Sequence, residues 1–473
     1  MELNLIGRAP TVFDGPDLPA DEAALAEVVS QAGAADLAAP PVVLPDFHHK
    51  SNLELPSSVA VATVGTIRPT LTSASVNCGM ALLTLDCERP GPSGITEFYR
   101  RVRERYPYPA RNLRELSAHE VRRAAVDGAY FAAERFEVDA AELTRVEESG
   151  RLGLDRYGGA ERLARELPGL AYQLARLRFG TVGPSNHFVE LQVVEEVLDE
   201  RTAELLGVRQ GQLTLQYHAG GGVLTGEIGA LFGRRRHYPR QLRMAMAVQK
   251  PLFHLATARS YRQLRERLSL YFTGGCPPVH RDSDEGQRLM LANAAAMNYG
   301  FAFRMATYAA LRRIAATVFG GSGGRLVVDS PHNSIYEEEV RGATAVVHRH
   351  NACRAYPAWR CPPGTVFAAT GQAVLLPGTH RTSSYLAVAG PDAADSLHSA
   401  CHGAGTLVSG FAERGLSGPH PAGHETLRFG YDDAAPARVR HLDDNGVNAA
   451  LRVLVDHGLV RPVARLRPLA VLN

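Results

Sequence analysis

The feature that most constrains this chain is a set of five short loops, rich in Gly, Ser and Asn, that sit between strand-like apolar runs. They are SASVNCGM, GTVGPSNHFVEL, QYHAGGG, DSPHNS and SACHGAGT, and they carry Cys78, His187, His218, His332 and His402. Small residues let the backbone turn sharply and approach a ligand closely, so loops of this kind read as parts of a binding site. Taken singly, each histidine also reads as a hydrogen-bonded loop or core residue. Taken together, one thiolate and several imidazoles form a donor set for a borderline divalent metal. A carboxylate among them would favour a harder ion such as manganese, and zinc fits the same donors. The block VLPDFHHKSNLELPSS adds Asp46, His48, His49 and Lys50 shortly before the Cys78 loop. Asp46 reads either as a further ligand or as a turn or cap carboxylate.

Composition narrows the class. The 473 residues, 45% hydrophobic and 21% charged, can bury one large core or two ordinary ones. Lys+Arg 51 against Asp+Glu 49 leaves a formal charge of +2, which excludes a uniformly basic nucleic-acid coat, so a polyanion is met locally. Lys50 and Lys250 are the only lysines, so nearly every cation is an arginine. Cys78, Cys87, Cys276, Cys353, Cys361 and Cys401 contain no C-x-x-C pair and read as reduced thiols, mostly small core residues. No segment reaches the roughly 18 apolar residues of a membrane helix, and the opening lacks a basic stretch leading into an apolar run. The expectation is a cytoplasmic protein with no membrane contact.

Periodicity predicts an α+β chain. Strand-type text occupies VAVATVGTIRP, MALLTL, the stretches at 188–191 and 213–217, RLVVD, ATAVVHRH, GTVFAAT, AVLLPG, SSYLAVAG and VARLRPLAVL. Helical spacing dominates about 97–178 and 242–318, and the small-residue face of MLANAAAMNYGFAFRMATYAALRRI predicts a close-packed central helix. DEAALAEVVSQAGAADLAA predicts an early helix, and VNAALRVLVDHGLV a late one closed by Gly458. With no repeat or linker, the expected organisation is an N-terminal helix and arm over 1–41, then a single domain over 42–473. In that domain mixed sheets surround the site and the two helical blocks are insertions. Of the basic stretches, YRRVRER (Arg100, Arg101, Arg103, Arg105) and GRRRHYPRQLR (Arg234, Arg235, Arg236, Arg240, Arg243) read either as phosphate contacts for a polyanion or as solvated surface.

At its polar loops the chain resembles the RtcB family of RNA-splicing ligases, from about Val42 to the last residue. LPDFHH is similar to the family's PD-x-H motif, SASVNCGM to G-x-D-I-N-C-G-M, and GTVGPSNHFVEL to G-T-x-G-G-G-N-H-F-I-E. QYHAGGG, DSPHNS, VVHRHNACRA, LLPGTHRTSSY, CHGAGT and the closing VARLRPLAVLN follow the family's remaining motifs in order. The resemblance implies a ligase that joins RNA 3′-phosphate or 2′,3′-cyclic phosphate ends to 5′-hydroxyl ends, with GTP as co-substrate and manganese as cofactor. It implies His402 as the nucleophile that takes GMP. It implies Cys78, His187, His218 and His332 as ligands of a two-metal site, with Cys78 as the bridge. Asn186, Phe188, Glu190, Asn333, Thr379, Ser383, Gly403, Gly405 and Asn473 match nucleotide-binding positions, and an archease-like activator is an implied partner.

The chain also departs from the family pattern. Ser75 stands at the position of a metal-binding Asp and Asn473 at that of a guanine-contacting Lys. Gly222 and Thr406 stand at two Arg positions, and His350 at a Lys. Asp46, His48, Ser75, Arg349 and His350 are therefore auxiliary candidates, and Arg349, Arg354 and Arg381, nearby in sequence, read either as replacement charges or as solvated or ion-paired strand residues. The departures keep two other readings open. One is a metal-dependent nucleotidyltransferase or phosphohydrolase with an altered nucleotide pocket, and the other a non-catalytic protein that binds RNA ends.

Overall fold

The computed structural model describes residues 9–33, 36–50, 53–108, 115–183, 186–237, 240–321 and 323–473. Its strand-forming runs gather into two large sheets, making an α+β fold. The nine-stranded sheet runs in the order Ala373–Leu376, Ser384–Ala389, Val460–Leu472, Phe188–Val197, Leu213–Ala219, Gly79–Leu85 and Arg325–Pro331. The hairpin of Glu425–Phe429 and Ala437–Arg440 branches from its long strand Val460–Leu472. The five-stranded sheet runs Thr11–Val12, Val42–Val43, Val59–Thr63, Ala343–His350 and Asn333–Val340. Arg325–Pro331 is an edge of the first sheet and Asn333–Val340 an edge of the second, so the chain crosses between them at His332.

Both faces of the nine-stranded sheet are covered. Ala81, Leu83 and Leu85 pack into the helical core, whereas Met80 and Leu82 pack into a separate cluster with Phe367, Leu375 and Leu386. Continuous apolar text such as GMALLTL is therefore buried along its whole length. Beneath this sheet lies the 36-residue helix Asp284–Phe319, about 54 Å long at 1.5 Å per residue. Ser283 caps it by accepting from the Gly286 N–H, and Gly320 ends it. Every residue from Arg288 to Leu311 is buried, the signature of a helix surrounded by protein. Its small residues permit close approach: a Cβ on Gly300 would meet the Asn77 side chain at 2.6 Å.

Other expectations are refined. The 242–318 block is three helices, Arg240–Thr257, Tyr261–Phe272 and Asp284–Phe319, with the short strand Val279–His280 before the third. GTVFAAT, expected as a strand, forms the helical turn Phe367–Thr370, because Gly371 takes a φ of 88° and returns its N–H to the Phe367 carbonyl. Conversely, Asn333–Val340 is a strand despite the acidic run within it, and Glu338 is neutralised there by Arg349. Among the described residues no helix is long and apolar enough to cross a membrane.

One buried ion pair ties the long helix to the sheet. Arg304, fully buried, donates to both carboxylate oxygens of Asp329 at 2.6 to 3.0 Å and also to the Asn77 carbonyl. Arg304→Met removes one partner and leaves a buried carboxylate, so a loss of about 3–5 kcal/mol is expected in urea denaturation; a loss below about 1 kcal/mol would contradict this role. The buried histidines give a second expectation. Burial holds His254 and His402 to about 3 and His187, His348, His380, His398 and His441 to about 4. Unfolded histidines protonate near 6.5, so the stability is complete above that pH and is lost as pH falls toward 4. Asp46, Glu190 and Glu227, raised by burial to about 7, 8 and 8, act in the opposite sense but are fewer. The melting temperature should fall between pH 6.5 and 4, and a flat profile would contradict the burial pattern.

Candidate metal and nucleotide-binding site

The candidate ligands come from one end of neighbouring strands. Phe188 pairs with His218, His218 with Met80, and Gly79 with Pro331. The residues just beyond these pairs, His187, Cys78 and His332, therefore share that end with His218. Gly79 permits the crossing, since a Cβ there would lie 2.6 Å from the Ser330 carbonyl oxygen and 2.7 Å from the Pro331 Cα. The Cys78 carbonyl accepts from the His332 N–H at 2.9 Å. Cys78 Sγ lies 3.3 Å from His218 Nε2 and 3.6 Å from His187 Nε2, and His218 Nε2 lies 3.0 Å from His332 Nε2. One donor atom from each of Cys78, His218 and His332 lies within 4.8 Å of the other two, and all three residues are buried.

This donor set fits a divalent metal. His218 Nδ1 donates to the Asn186 carbonyl at 2.7 Å, which fixes the tautomer and leaves the Nε2 lone pair facing Cys78 and His332. Among the described residues His332 Nδ1 is buried without a partner. Burial pushes the Cys78 thiol up to about 12, against the lowering effect of Arg304 and Lys50, and drives His218 and His332 well below the usual imidazole range. Without a cation the group is therefore a cluster of neutral donors, and a bound metal is the partner that makes a thiolate favourable there.

His402 joins the cluster through a second crossing. Cys401 pairs with Ala352, whose N–H donates to the His332 carbonyl at 2.9 Å. The His332 and His402 rings consequently stack with centroids 4.5 Å apart and planes 19° from parallel. His402 opens onto a cleft of about 350 Å³, which Asp46, His48, Asn186, Phe188, Glu190, His218, Thr379, Gly403, Gly405 and Asn473 also line. Burial, helped by Lys50 and His48, lowers His402 to about 3, so at neutral pH its ring keeps a free lone pair. Burial raises Glu190 to about 8 and Asp46 to about 7. Asp46 adopts a φ of 63° and its Oδ1 accepts from the Leu407 N–H at 3.0 Å, in the first turn of the helix Gly405–Glu413. It lies outside the group of converging metal donors.

The remaining sequence candidates separate into two groups. Ser75 and His187 stay with the cluster: the Ser75 hydroxyl hydrogen-bonds Cys78, and a Cβ on Gly220 would meet both Ser75 and His187. Asn333, Ser383, Arg349 and His350 do not line the cleft. The Asn333 side-chain oxygen accepts from the Asn351 N–H at 2.9 Å, and the Ser383 N–H donates to Asp444 at 2.7 Å, leaving Ser384 to face the cleft. Arg349 is buried in a two-pronged pair with Glu338 at 2.5 and 2.9 Å, the ion-paired reading of this residue. Arg354 is likewise engaged, with Glu148 and the Tyr356 ring. His350 is buried, and its ring nitrogens have no well-formed partner among the described residues.

The basic stretches prove mainly structural. Arg100 and Arg101 pair with Glu97 and Arg105 with Glu115, while Arg103 donates to the Asp433 carbonyl. Arg235 is buried against Glu54 and the Thr72 and Pro69 carbonyls, and Arg236 pairs with Glu27. The Arg240 side chain lies outside the described residues, and Arg243 is exposed. Among the cleft residues given no site role in the sequence are Lys50, His380 and Ser384. Lys50 was marked by the scarcity of lysine and by its place beside Asp46, His48 and His49, and His380 and Ser384 lie in the LLPGTHRTSSY motif.

Three converging metal donors at the strand ends, with a histidine stacked on one of them that lines a cleft, are an arrangement that can hold a metal ion beside a bound ligand. The chain matches the family described as tRNA-splicing ligase RtcB over residues 28–473, and it belongs to that family. It is 31% identical over 363 residues to the tRNA-splicing ligase RtcB of Pyrococcus furiosus, covering 73% of this chain. That match spans only about a third of the relative's length, 34%. It is 28% identical over 459 residues to the tRNA-splicing ligase RtcB of Thermococcus kodakarensis, covering 91% of this chain and 86% of the relative. The RNA-splicing ligase RtcB of Mycobacterium tuberculosis is 29% identical over 452 residues, 90% of this chain and 95% of its own length.

If Cys78, His218 and His332 hold the metal, Cys78→Ala and His218→Ala should each weaken binding at least about tenfold, read as metal per protein by mass spectrometry after dialysis against a metal buffer. Asp46→Asn should retain the metal. The reverse pattern would move the metal to the Asp46 wall.

Proposed function

We propose that the chain is an RNA ligase of splicing or repair type, joining an RNA 3′-phosphate or 2′,3′-cyclic phosphate to an RNA 5′-hydroxyl through a GMP adduct on His402. The observation that carries this reading is the neutral His402 ring, which lines a cleft while stacked on one of three converging metal donors. The names of the relatives point the same way. A ring nitrogen of His402 attacks the α-phosphorus of GTP; the phosphorus–nitrogen bond forms, the bond to the bridging oxygen breaks, and pyrophosphate leaves. An oxygen of the RNA 3′-phosphate then attacks the same phosphorus and releases His402. A 2′,3′-cyclic phosphate first adds water to become a 3′-phosphate. The 5′-hydroxyl finally attacks the RNA 3′-phosphorus, forms the phosphodiester and expels GMP, its proton passing to a base or solvent.

Cys78, His218 and His332, with His187 beside them, would hold a divalent ion that neutralises charge on the transferring phosphoryl group, and we take it to be Mn2+. Phe188 offers an aromatic face, Glu190 and Asn473 offer hydrogen bonds to a base edge, and Gly403 and Gly405 let the nucleotide approach the backbone beside His402. The test is the intact mass of the protein after incubation with Mn2+ and each ribonucleoside triphosphate in turn, with the modified peptide mapped. GTP should add one GMP at His402, and His402→Ala should abolish it. An adduct that persists in His402→Ala, or one formed with another nucleotide only, contradicts this assignment.

A further inference from the structure

A cleft that receives a triphosphate needs positive charge, and this one carries little. Among the described residues that line it there is no arginine, although arginines supply all but two of the chain's 51 basic residues. The Thr406 and Asn473 side chains stand on its walls without charge. Of the arginines that the sequence offered as replacement charges, Arg349 pairs with Glu338 and Arg354 with Glu148, while Arg381 lies outside the cleft lining and donates to the Arg440 carbonyl. Of the two lysines, Lys250 is buried elsewhere and donates to the Ala230 and Gly233 carbonyls. The other, Lys50, lines the cleft together with His402. Its ammonium is close enough to act electrostatically on Asp46, Cys78, His332 and His402.

We propose that Lys50 is the polyphosphate anchor of this cleft, an assignment that rests on the triphosphate reading above. Its ammonium binds the β- and γ-phosphate oxygens and neutralises the charge that grows on pyrophosphate as the phosphorus–nitrogen bond to His402 forms and the phosphorus–oxygen bond breaks. A lysine suits this task because it is a compact point charge with three donors, free to follow a leaving group.

The experiment titrates tripolyphosphate, in the presence of Mn2+, into the wild-type chain and into Lys50→Met, Lys50→Arg and Arg428→Met by calorimetry, with melting curves to check folding. Lys50→Met should weaken binding about ten- to a hundredfold, as expected for a lost hydrogen bond to a charged group, while Lys50→Arg restores most of it. Arg428, which donates to Asn473 from the cleft rim, is the competing cation. Equal binding by Lys50→Met and wild type, or a loss in Arg428→Met instead, overturns the proposal. Tripolyphosphate has neither base nor ribose, so this result is separable from the ligase reading. Loss of tripolyphosphate binding in Lys50→Met supports the anchor even in a protein that forms no adduct at His402, and an adduct mapped to Lys50 itself overturns it.

Discussion

The site depends on one buried side chain. Arg304 reaches from the middle of the long helix to Asp329, three residues before His332, and to the carbonyl of Asn77, the neighbour of Cys78. A single guanidinium therefore sets the spacing between two of the three converging donors. A buried ion pair is weak evidence for added stability, because desolvation offsets much of its attraction. Its contribution here is positional, and also electrostatic, since the same charge opposes the burial that raises the Cys78 thiol.

Around this anchor burial shifts the site's imidazoles and carboxyls toward their uncharged forms. Burial keeps His187, His218, His332 and His402 neutral and raises Asp46 and Glu190 into or above the neutral range. The cations that act on these groups include Arg304 and Lys50. Metal binding at Cys78 should then release a proton, as expected where a thiol becomes a ligand. The neutral state of His402 follows from the same burial and is the state that its proposed role as nucleophile requires.

Much of this arrangement was legible in the sequence. The five polar loops marked Cys78, His187, His218, His332 and His402, and the folded chain gathers all five at the strand ends. The central helix was visible in its small-residue text, because a helix packed on all sides needs residues that let neighbours approach. What the sequence hid was set by partners far away in the chain. Arg349 read either as a replacement charge or as an ion-paired strand residue, and Glu338 on the adjacent strand pairs with it; the Asn333 side chain engages the Asn351 N–H and the Ser383 N–H engages Asp444, contacts that no motif announces. GTVFAAT reads as a strand, and only the Gly371 N–H returning to the Phe367 carbonyl closes it into a helical turn. Lys50 stood in the sequence as a scarce lysine and a neighbour of Asp46, His48 and His49, and its proposed role emerges from a cleft lined, among the described residues, by no arginine.

The most direct measurement is RNA joining itself. A labelled RNA ending in 3′-phosphate and a second beginning with 5′-hydroxyl would be incubated with the protein, Mn2+ and GTP, and the junction sequenced and traced with labelled 3′-phosphate. The account predicts a joined product whose linking phosphate comes from the 3′ end and whose formation requires GTP. Unjoined ends in a protein shown to contain metal, with only the terminal phosphate removed or a cyclic phosphate opened, would contradict it and assign the site to hydrolysis.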